Sequence, residues 1–405
     1  AALTTNGKGD VALGHVRYSA QGEEDEINSQ PMVMSYEKGS ISIANNGSLV
    51  STAKLRKKLE SNGSVFQTNS NAEMIVHLIA RYRLNARNIE TAIAQAMTEL
   101  EGAYSFILMT PHKLIAVRDP KGFRPLCYGK LGNSYIIASE SCAIQSIGGE
   151  FIRDIKPGEI LVITNEAVYS NTDNCGQKSS MCIFEHVYLA RPDSVIDGAS
   201  VHRSRLNAGK FLAIEHPVEA DVVAGVPDSG IDAAIGYANQ SGIPFGLGLI
   251  KNRYSGRTFI QTTQKQRERS VQIKLNPLGN EIEGKRIVLV DDSIVRGTTC
   301  AKLIKKLRDA GAKEIHMRIS SPPFINPCYF GTDISSKDKL IACKLDIDEI
   351  CRFIGADSLG YLSIDSMMKV AENSGVDFCS ACFTGDYPVD VTGENFVDKY
   401  SKKIT

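Results

Sequence analysis

Residues Arg286 to Thr299 read R-I-V-L-V-D-D-S-I-V-R-G-T-T, and no other stretch limits so tightly what this chain can fold into. The apolar, β-branched run Arg286–Val290, with Lys285 before it and acid after it, predicts a strand buried on both faces of a parallel sheet. Behind it, about Thr299 to Ala310, Ile304, Leu307 and Ala310 share one helical face, and Gly311 stops the helix. In open α/β sheets ligands lie beyond the carboxyl ends of the strands. Chemistry is therefore expected at Asp291, Asp292, Ser293, Arg296, Gly297, Thr298 and Thr299.

These residue types suit one kind of ligand. A glycine-containing loop at a helix N-terminus offers backbone N–H groups, a positive dipole end and hydroxyls, all favourable to a phosphate. Two adjacent acids would repel a polyphosphate, so they fit paired sugar hydroxyls or a divalent cation instead. A phosphate, a ribose and a metal-bound group in one molecule describe phosphoribosylpyrophosphate. A flavodoxin-like acidic corner with a chance Gly-Thr-Thr is the alternative, and it leaves the acid pair without a role.

The stretch resembles the phosphoribosylpyrophosphate signature of type I phosphoribosyltransferases. Its form D-D-S-I-V-R-G-T-T is similar to that of the glutamine-dependent amidophosphoribosyltransferase family. The resemblance implies that Asp291 and Asp292 hold the ribose and Ser293 to Thr299 the 5-phosphate. It also implies that a serine matching Ser229 lies near Mg2+ together with the two acids.

A chain of 405 residues has length for two domains. Lys plus Arg and Asp plus Glu each number 46, so charge gives no reason to expect nucleic acid or a membrane surface as partner. No apolar run approaches a membrane span, and Ala1 to Asp10 has no secretory pattern. A cytoplasmic protein is expected, with its ten cysteines reduced or bound to metal.

The first half, to about residue 172, reads as α+β. Val11–Tyr18, Ile41–Ala44, Tyr104–Met109, Lys113–Arg118, Tyr135–Ala138 and Ile160–Ile163 are predicted strands, and Ala72–Arg83 and Ile89–Leu100 predicted helices. Two antiparallel sheets covered by helices would accommodate them. G-H-V-R-Y-S at Gly14–Ser19, N-N-G at Asn45–Gly47 and G-A-Y-S-F at Gly102–Phe106 are similar to the N-terminal-nucleophile glutaminase domain of the same family. That likeness implies that Arg17 grips the glutamine carboxylate and that Asn46 and Gly47 form an oxyanion hole, roles suited to a planar guanidinium and to two aimed donors.

The pattern is not complete. The family's nucleophile is an N-terminal cysteine, whereas this chain begins Ala-Ala-Leu and has no cysteine before Cys127, so the reading is of a chain lacking its N-terminal segment. Asn71 stands where the family has an aspartate for the glutamine amino group, and an amide cannot supply that charge. Ala20-Gln21 also departs from the family's continuation. Ser70 and Glu73 predict a capping box for the next helix.

Asn171–Ser180 reads as a linker. Beyond it, Asp221–Val226 predicts a second apolar strand ending in Pro227, Asp228, Ser229 and Gly230, with a helix Ile231–Asn239 behind. The resemblance makes this the pyrophosphate loop, and makes Lys251–Pro277 a flexible catalytic loop bringing Lys251, Arg253 and Lys274 toward the leaving group. Composition alone reads that segment as a solvated loop.

Cys379-Ser380-Ala381-Cys382 is a C-x-x-C pair, open among redox, zinc and iron–sulfur roles. Cys182 and Cys328 stand where the iron–sulfur branch of the family places its other ligands, which implies a 4Fe-4S cluster, with zinc as the alternative. The expected organisation is a truncated αββα glutaminase-like domain over 1–174, a phosphoribosyltransferase domain with a parallel sheet over 175–395, and a tail over 396–405. The expected reaction is displacement of pyrophosphate from phosphoribosylpyrophosphate by ammonia, in a homo-oligomer open to nucleotide feedback. A purine-salvage transferase would leave the first half unexplained, and a phosphoribosylpyrophosphate-binding regulator would need a basic DNA-reading module.

Overall fold

The computed structural model describes residues 9–16, 26–252, 275–334 and 336–392. In the first half, six antiparallel strands run β1 (Met32–Tyr36), β2 (Gly39–Asn46), β3 (Ser105–Met109), β4 (Leu114–Arg118), β8 (Ile160–Ile163) and β9 (Val168–Asn171), neighbours in that order. A second antiparallel sheet places β5 (Cys127–Leu131) between β6 (Ser134–Ala138) and β7 (Glu150–Asp154). Helices α1 (Thr52–Glu60), α2 (Asn71–Arg83) and α3 (Ile89–Met97) pack Leu59, Ile75, Ile79 and Ile93 with Ile43, Phe106, Leu108 and Val117 of the larger sheet. The alternate residues, Ala116, Leu161 and Ile163, turn to Leu126, Ile155, Tyr128 and Ile137 of the smaller one. Strand period two divides one strand between two cores. Helix α4 (Ser141–Ser146) packs on the smaller sheet, which completes an αββα stack.

The predicted helices form, with differences at the ends. Asn88 caps α3 through Thr91 N–H, and the helix stops at Met97 rather than Leu100. Ser70 caps α2 by accepting from Ala72 N–H at 3.2 Å, but the reciprocal half of the capping box is missing. The Glu73 carboxylate instead accepts from Gln67 N–H and Thr68 N–H, both at 2.7 Å, and from the Thr68 hydroxyl at 2.7 Å. Residues 11–16 of the predicted strand Val11–Tyr18 are in no strand, and Arg17 and Tyr18 lie outside the described residues.

The chain enters the second half through β10 (Met181–Cys182), a π-helical turn Glu185–Leu189, and the small hairpin β11 (Val195–Ile196) and β12 (Ala199–Ser200). Helices α5 (Val201–Glu215) and α6 (Gly230–Ser241) cover one face of a four-stranded parallel sheet. Its order is β13 (Val222–Gly225), β16 (Arg286–Asp291), β17 (Glu314–Ile319), β18 (Ser358–Tyr361). Between β13 and β16 lies an antiparallel pair, β14 (Leu249–Lys251) and β15 (Leu275–Pro277). Val223, Val288 and Val290 point to the α5–α6 side. Ala224, Ile287 and Leu289 point to α7 (Thr298–Asp309) and α8 (Ile347–Ile354). The stretch 287–290 is wholly buried, as its unbroken apolar character predicts. A last short strand, β19 (Phe378–Cys379), returns to pair in parallel with β10.

Two buried arginines join the halves. Arg118, at the end of β4, is 0% exposed and donates to both carboxylate oxygens of Asp197, at 2.8 and 2.7 Å. Arg124 pairs with Glu185 at 2.6 Å and donates to Phe330 O at 3.2 Å and Thr332 Oγ1 at 2.9 Å. Phe123 stacks on Phe330 beside them, with ring centroids 4.2 Å apart.

Candidate functional site

The ends of β13 and β16 are adjacent because the two strands pair in register, Gly225 opposite Val290. Val226 N–H donates to Val290 O at 2.8 Å, and Gly230 N–H turns back to Val226 O at 2.9 Å. An added Cβ on Gly230 would lie 2.4 Å from Val290 O, so only glycine lets the start of α6 sit against the end of β16. That contact brings Ser229 to the acid pair.

Asp292 is the centre of the cluster. Its carboxylate accepts from the Ser229 hydroxyl and from the Ser293 hydroxyl, both at 2.5 Å, one on each oxygen. Asp292 N–H donates to Asp291 Oδ1 at 2.9 Å, and the buried Ser321 hydroxyl donates to Asp292 O at 2.8 Å. Burial, followed by the charge of Asp292, pushes Asp291 well above the ordinary carboxylate range, and burial also raises Asp292. Such a pair is stabilised by a cation or by hydroxyl donors. Past it, Gly297 (φ +75°) caps α7, and its buried backbone is flanked by exposed Arg296, Thr298 and Thr299. Helix N-termini leave the N–H groups of the first turn unpaired, and such a turn with two hydroxyls beside it can receive a phosphate. The second loop, Pro227–Gly230, contains a cis Pro227–Asp228 peptide, and exposed Asp228 forms an ion pair with Lys251. Arg253 and Lys274 lie outside the described residues.

In the first half Asn46 ends β2 opposite Ser105, and Gly47 (φ +122°) turns the chain. The N-N-G and G-A-Y-S-F motifs lie side by side: Leu49 bridges to Gly102, and Ala103 N–H donates to Ser48 O at 2.9 Å. Arg17 lies outside the described residues; Asn71 is the first residue of α2. One neighbour of Gly47 was invisible to sequence reading. An added Cβ on Gly331 (φ +104°) would lie 3.1 Å from Gly47 Cα, so a loop of the second half abuts the turn. Sequence reading also passed over Arg118, Arg124 and Glu185. The usable signal was a charge at the end of an apolar run or inside one, as in L-I-A-V-R and C-I-F-E-H-V.

The four cysteines gather at one small cavity, lined also by Phe123, Phe184, Phe330 and Tyr387. Cys182 and Cys379 are register partners in β10 and β19. Burial pushes the Cys182 thiol up to about 11 and the Cys379 thiol up to about 12; Cys382 rises further, through burial and the charges of the other three. Four thiolates there need a strongly positive group among them. Among the described residues, no three His, Cys, Asp or Glu side chains are placed to share a single metal ion.

Comparison with known proteins accounts for both halves. The model of the glutamine amidotransferase domain matches residues 15–146, and that of the phosphoribosyl transferase domain matches 205–320. The amidophosphoribosyltransferase of Archaeoglobus fulgidus is 47% identical over 95% of this chain and 85% of its own length. That of Bacillus subtilis is 46% identical over 95% and 81%. The solved structure of the glutamine phosphoribosylpyrophosphate amidotransferase of B. subtilis, complexed with ADP and GMP, superposes with a TM-score of 0.85 at 46% identity, covering 94% of this chain and 83% of that one.

Proposed function

The chain belongs to the amidophosphoribosyltransferase family, and we propose that it forms 5-phosphoribosylamine and pyrophosphate from phosphoribosylpyrophosphate with ammonia derived from glutamine, the first step of purine synthesis. Residues 175–395 carry the transfer in this reading and residues 1–174 the glutaminase-like half, with 396–405 a tail. The observation that carries the reading is the Ser229–Asp292 hydrogen bond, which ties the two strand-end anion loops into one site.

In this reading Thr298, Thr299 and the backbone from Ser293 to Gly297 hold the 5-phosphate, and Arg296 adds charge at its rim. Asp291 and Asp292 accept the ribose hydroxyls. Pro227–Gly230 hold the pyrophosphate, with Lys251, Arg253 and Lys274 as its cations. The oxygen donors of Asp291, Asp292 and Ser229 fit Mg2+, which keeps waters and substrate oxygens in its shell. When bound, Mg2+ would neutralise charge on the leaving pyrophosphate. The chain's own task is positioning: the cradle and the acid pair fix the ribose so that ammonia meets the anomeric carbon opposite the leaving group. Arg17, Asn46 and Gly47 would serve glutamine. Cys182, Cys328, Cys379 and Cys382 would hold a 4Fe-4S cluster, pinning the β10–β19 pair to the Cys328 loop. A cytoplasmic location accords with the free thiols, and a response to nucleotides accords with the relative bound to ADP and GMP; a homo-oligomer is proposed alongside them.

The test is pyrophosphate release from phosphoribosylpyrophosphate with Mg2+. Ammonium is the first nitrogen source, so that the transfer is read apart from the glutaminase-like half. Release with ammonium is expected; none from folded protein would overturn the reading.

A further inference from the structure

A second cavity lies apart from both candidate sites, between the two halves. It has a volume of about 570 Å³, within the range of small-molecule sites, and such sites favour domain junctions. Its walls come from four separate segments: Lys121 of the first half, Lys178 to Ser180 of the connecting segment, and, in the second half, Met368 to Phe378 and Pro388. Backbone bonds lock them together. Ser180 N–H donates to Lys121 O at 2.7 Å, and Met181 N–H donates to Asp377 O at 2.8 Å. Asp377 N–H donates to Ser179 Oγ at 2.8 Å, which leaves the Ser179 hydroxyl proton free to donate elsewhere.

The charges in this cavity are not balanced. Lys121 and Lys178 both line it, and neither has a carboxylate within ion-pair distance among the described residues. Asp377 is the one acid of the lining, so the wall carries a net positive charge. Two lysines lining one concave space raise its positive potential, and an anion between them is favoured. The serine hydroxyls and the Asn373 amide add neutral donors, and Phe378 and Met368 add an apolar surface. The space exceeds what a bare inorganic anion fills.

We propose that this interdomain cavity is a binding site for a small phosphate ester, its phosphate held by Lys121 and Lys178 and its body lying over Phe378 and Met368. Phe378 immediately precedes Cys379, and Ser180 lies two residues before Cys182. Occupancy therefore braces the strand pair that carries two of the four clustered thiols.

The test reads the site itself, so that binding in the cradle at Thr298 cannot mimic it. The full chain is acetylated under limiting reagent with inorganic phosphate, with glycerol 3-phosphate, or with chloride at matched ionic strength, and modification is quantified lysine by lysine. Saturable protection of Lys121 and Lys178 of about fivefold or more is expected with the phosphates, tighter for the ester. Exposed Lys54 and Lys57 of α1 serve as controls and should not change. In Lys121→Met, protection at Lys178 should fall toward the control level. Equal protection by chloride, protection shared by the control lysines, or none at all would each overturn the site.

Discussion

The two halves build their candidate sites in opposite ways. In the parallel sheet, the acid pair and the proposed phosphate and pyrophosphate loops are short contiguous runs at neighbouring strand ends, and one glycine contact brings them together. In the αββα half, the turn at Gly47 rests on Gly102–Ala103, fifty-odd residues on, and on Gly331 of the other half. A parallel sheet collects its loops at one edge, so local sequence carries the chemistry. An antiparallel stack returns its strands from both ends, so a site there is completed by distant segments.

The largest break in this contrast should come at the joint. Arg118→Met removes a wholly buried cation from a bidentate pair and leaves the Asp197 carboxylate without its guanidinium. Breaking such a pair costs about 3–5 kcal/mol, to be read by denaturant unfolding. Ammonium-dependent turnover per folded molecule should hold, because the contiguous site shares none of these groups. A cost near zero would mean that the joint does not hold the halves.

Asp291→Asn tests the contiguous site. Loss of one acid should lower ammonium-dependent pyrophosphate release about 100-fold, the scale for a group that stabilises developing charge. The thermal midpoint should stay or rise, because burial and Asp292 already oppose ionisation of Asp291. Unchanged turnover would refute its assignment.

Glu73 supplies a local contrast within the first half. Burial works against its charge, but His77, the N–H groups of Gln67 and Thr68 and the Thr68 hydroxyl more than compensate, and its pKa falls from 4.5 to about 2. The folded state therefore prefers the carboxylate. Its contribution is whole above pH 4.5 and drains away as pH falls toward about 2. Glu73→Gln should cost about 2 kcal/mol at neutral pH and flatten the loss of stability across that acid window. A variant that unfolds with the wild-type pH profile would remove Glu73 from the account.

What could be read from sequence follows the same division. Arg286–Val290 and Pro227–Gly230 announced themselves because a doubly buried strand admits only apolar residues and its end loop is contiguous. Strands β1, β5, β7 and β9 of the first half went unread, and so did two strands of the parallel sheet: β17, where His316 and Arg318 interrupt the apolar run, and the short β18. β5 contains Gly129, where an added Cβ would lie 2.2 Å from Glu150 O, so its sequence breaks the strand pattern to admit a close neighbour. β9 is half exposed and short. The capping box failed for a related reason: Glu73 reaches back beyond Ser70 to Thr68, a choice set by the loop before the helix. Arg124 and Glu185 could be noticed singly, but nothing in either run says that they meet.

Gly331→Ala is the subtlest way to test whether the first site is assembled from both halves. A side chain there has two costs. At φ +104° the residue lies where L side chains are strained, and its Cβ would stand 3.1 Å from Gly47 Cα, 3.2 Å from Gly47 C and 3.3 Å from Arg124 Nη2. Together these should cost about 1–3 kcal/mol. The informative readout is local. Ala103 N–H, held by Ser48 O one residue past Gly47, should exchange its proton faster, whereas Val226 N–H at the parallel-sheet site should keep its protection. Ammonium-dependent turnover should not move. If Ala103 exchanges as before while the protein loses stability, Gly331 is only a strained turn, and Gly47 is supported from its own half alone.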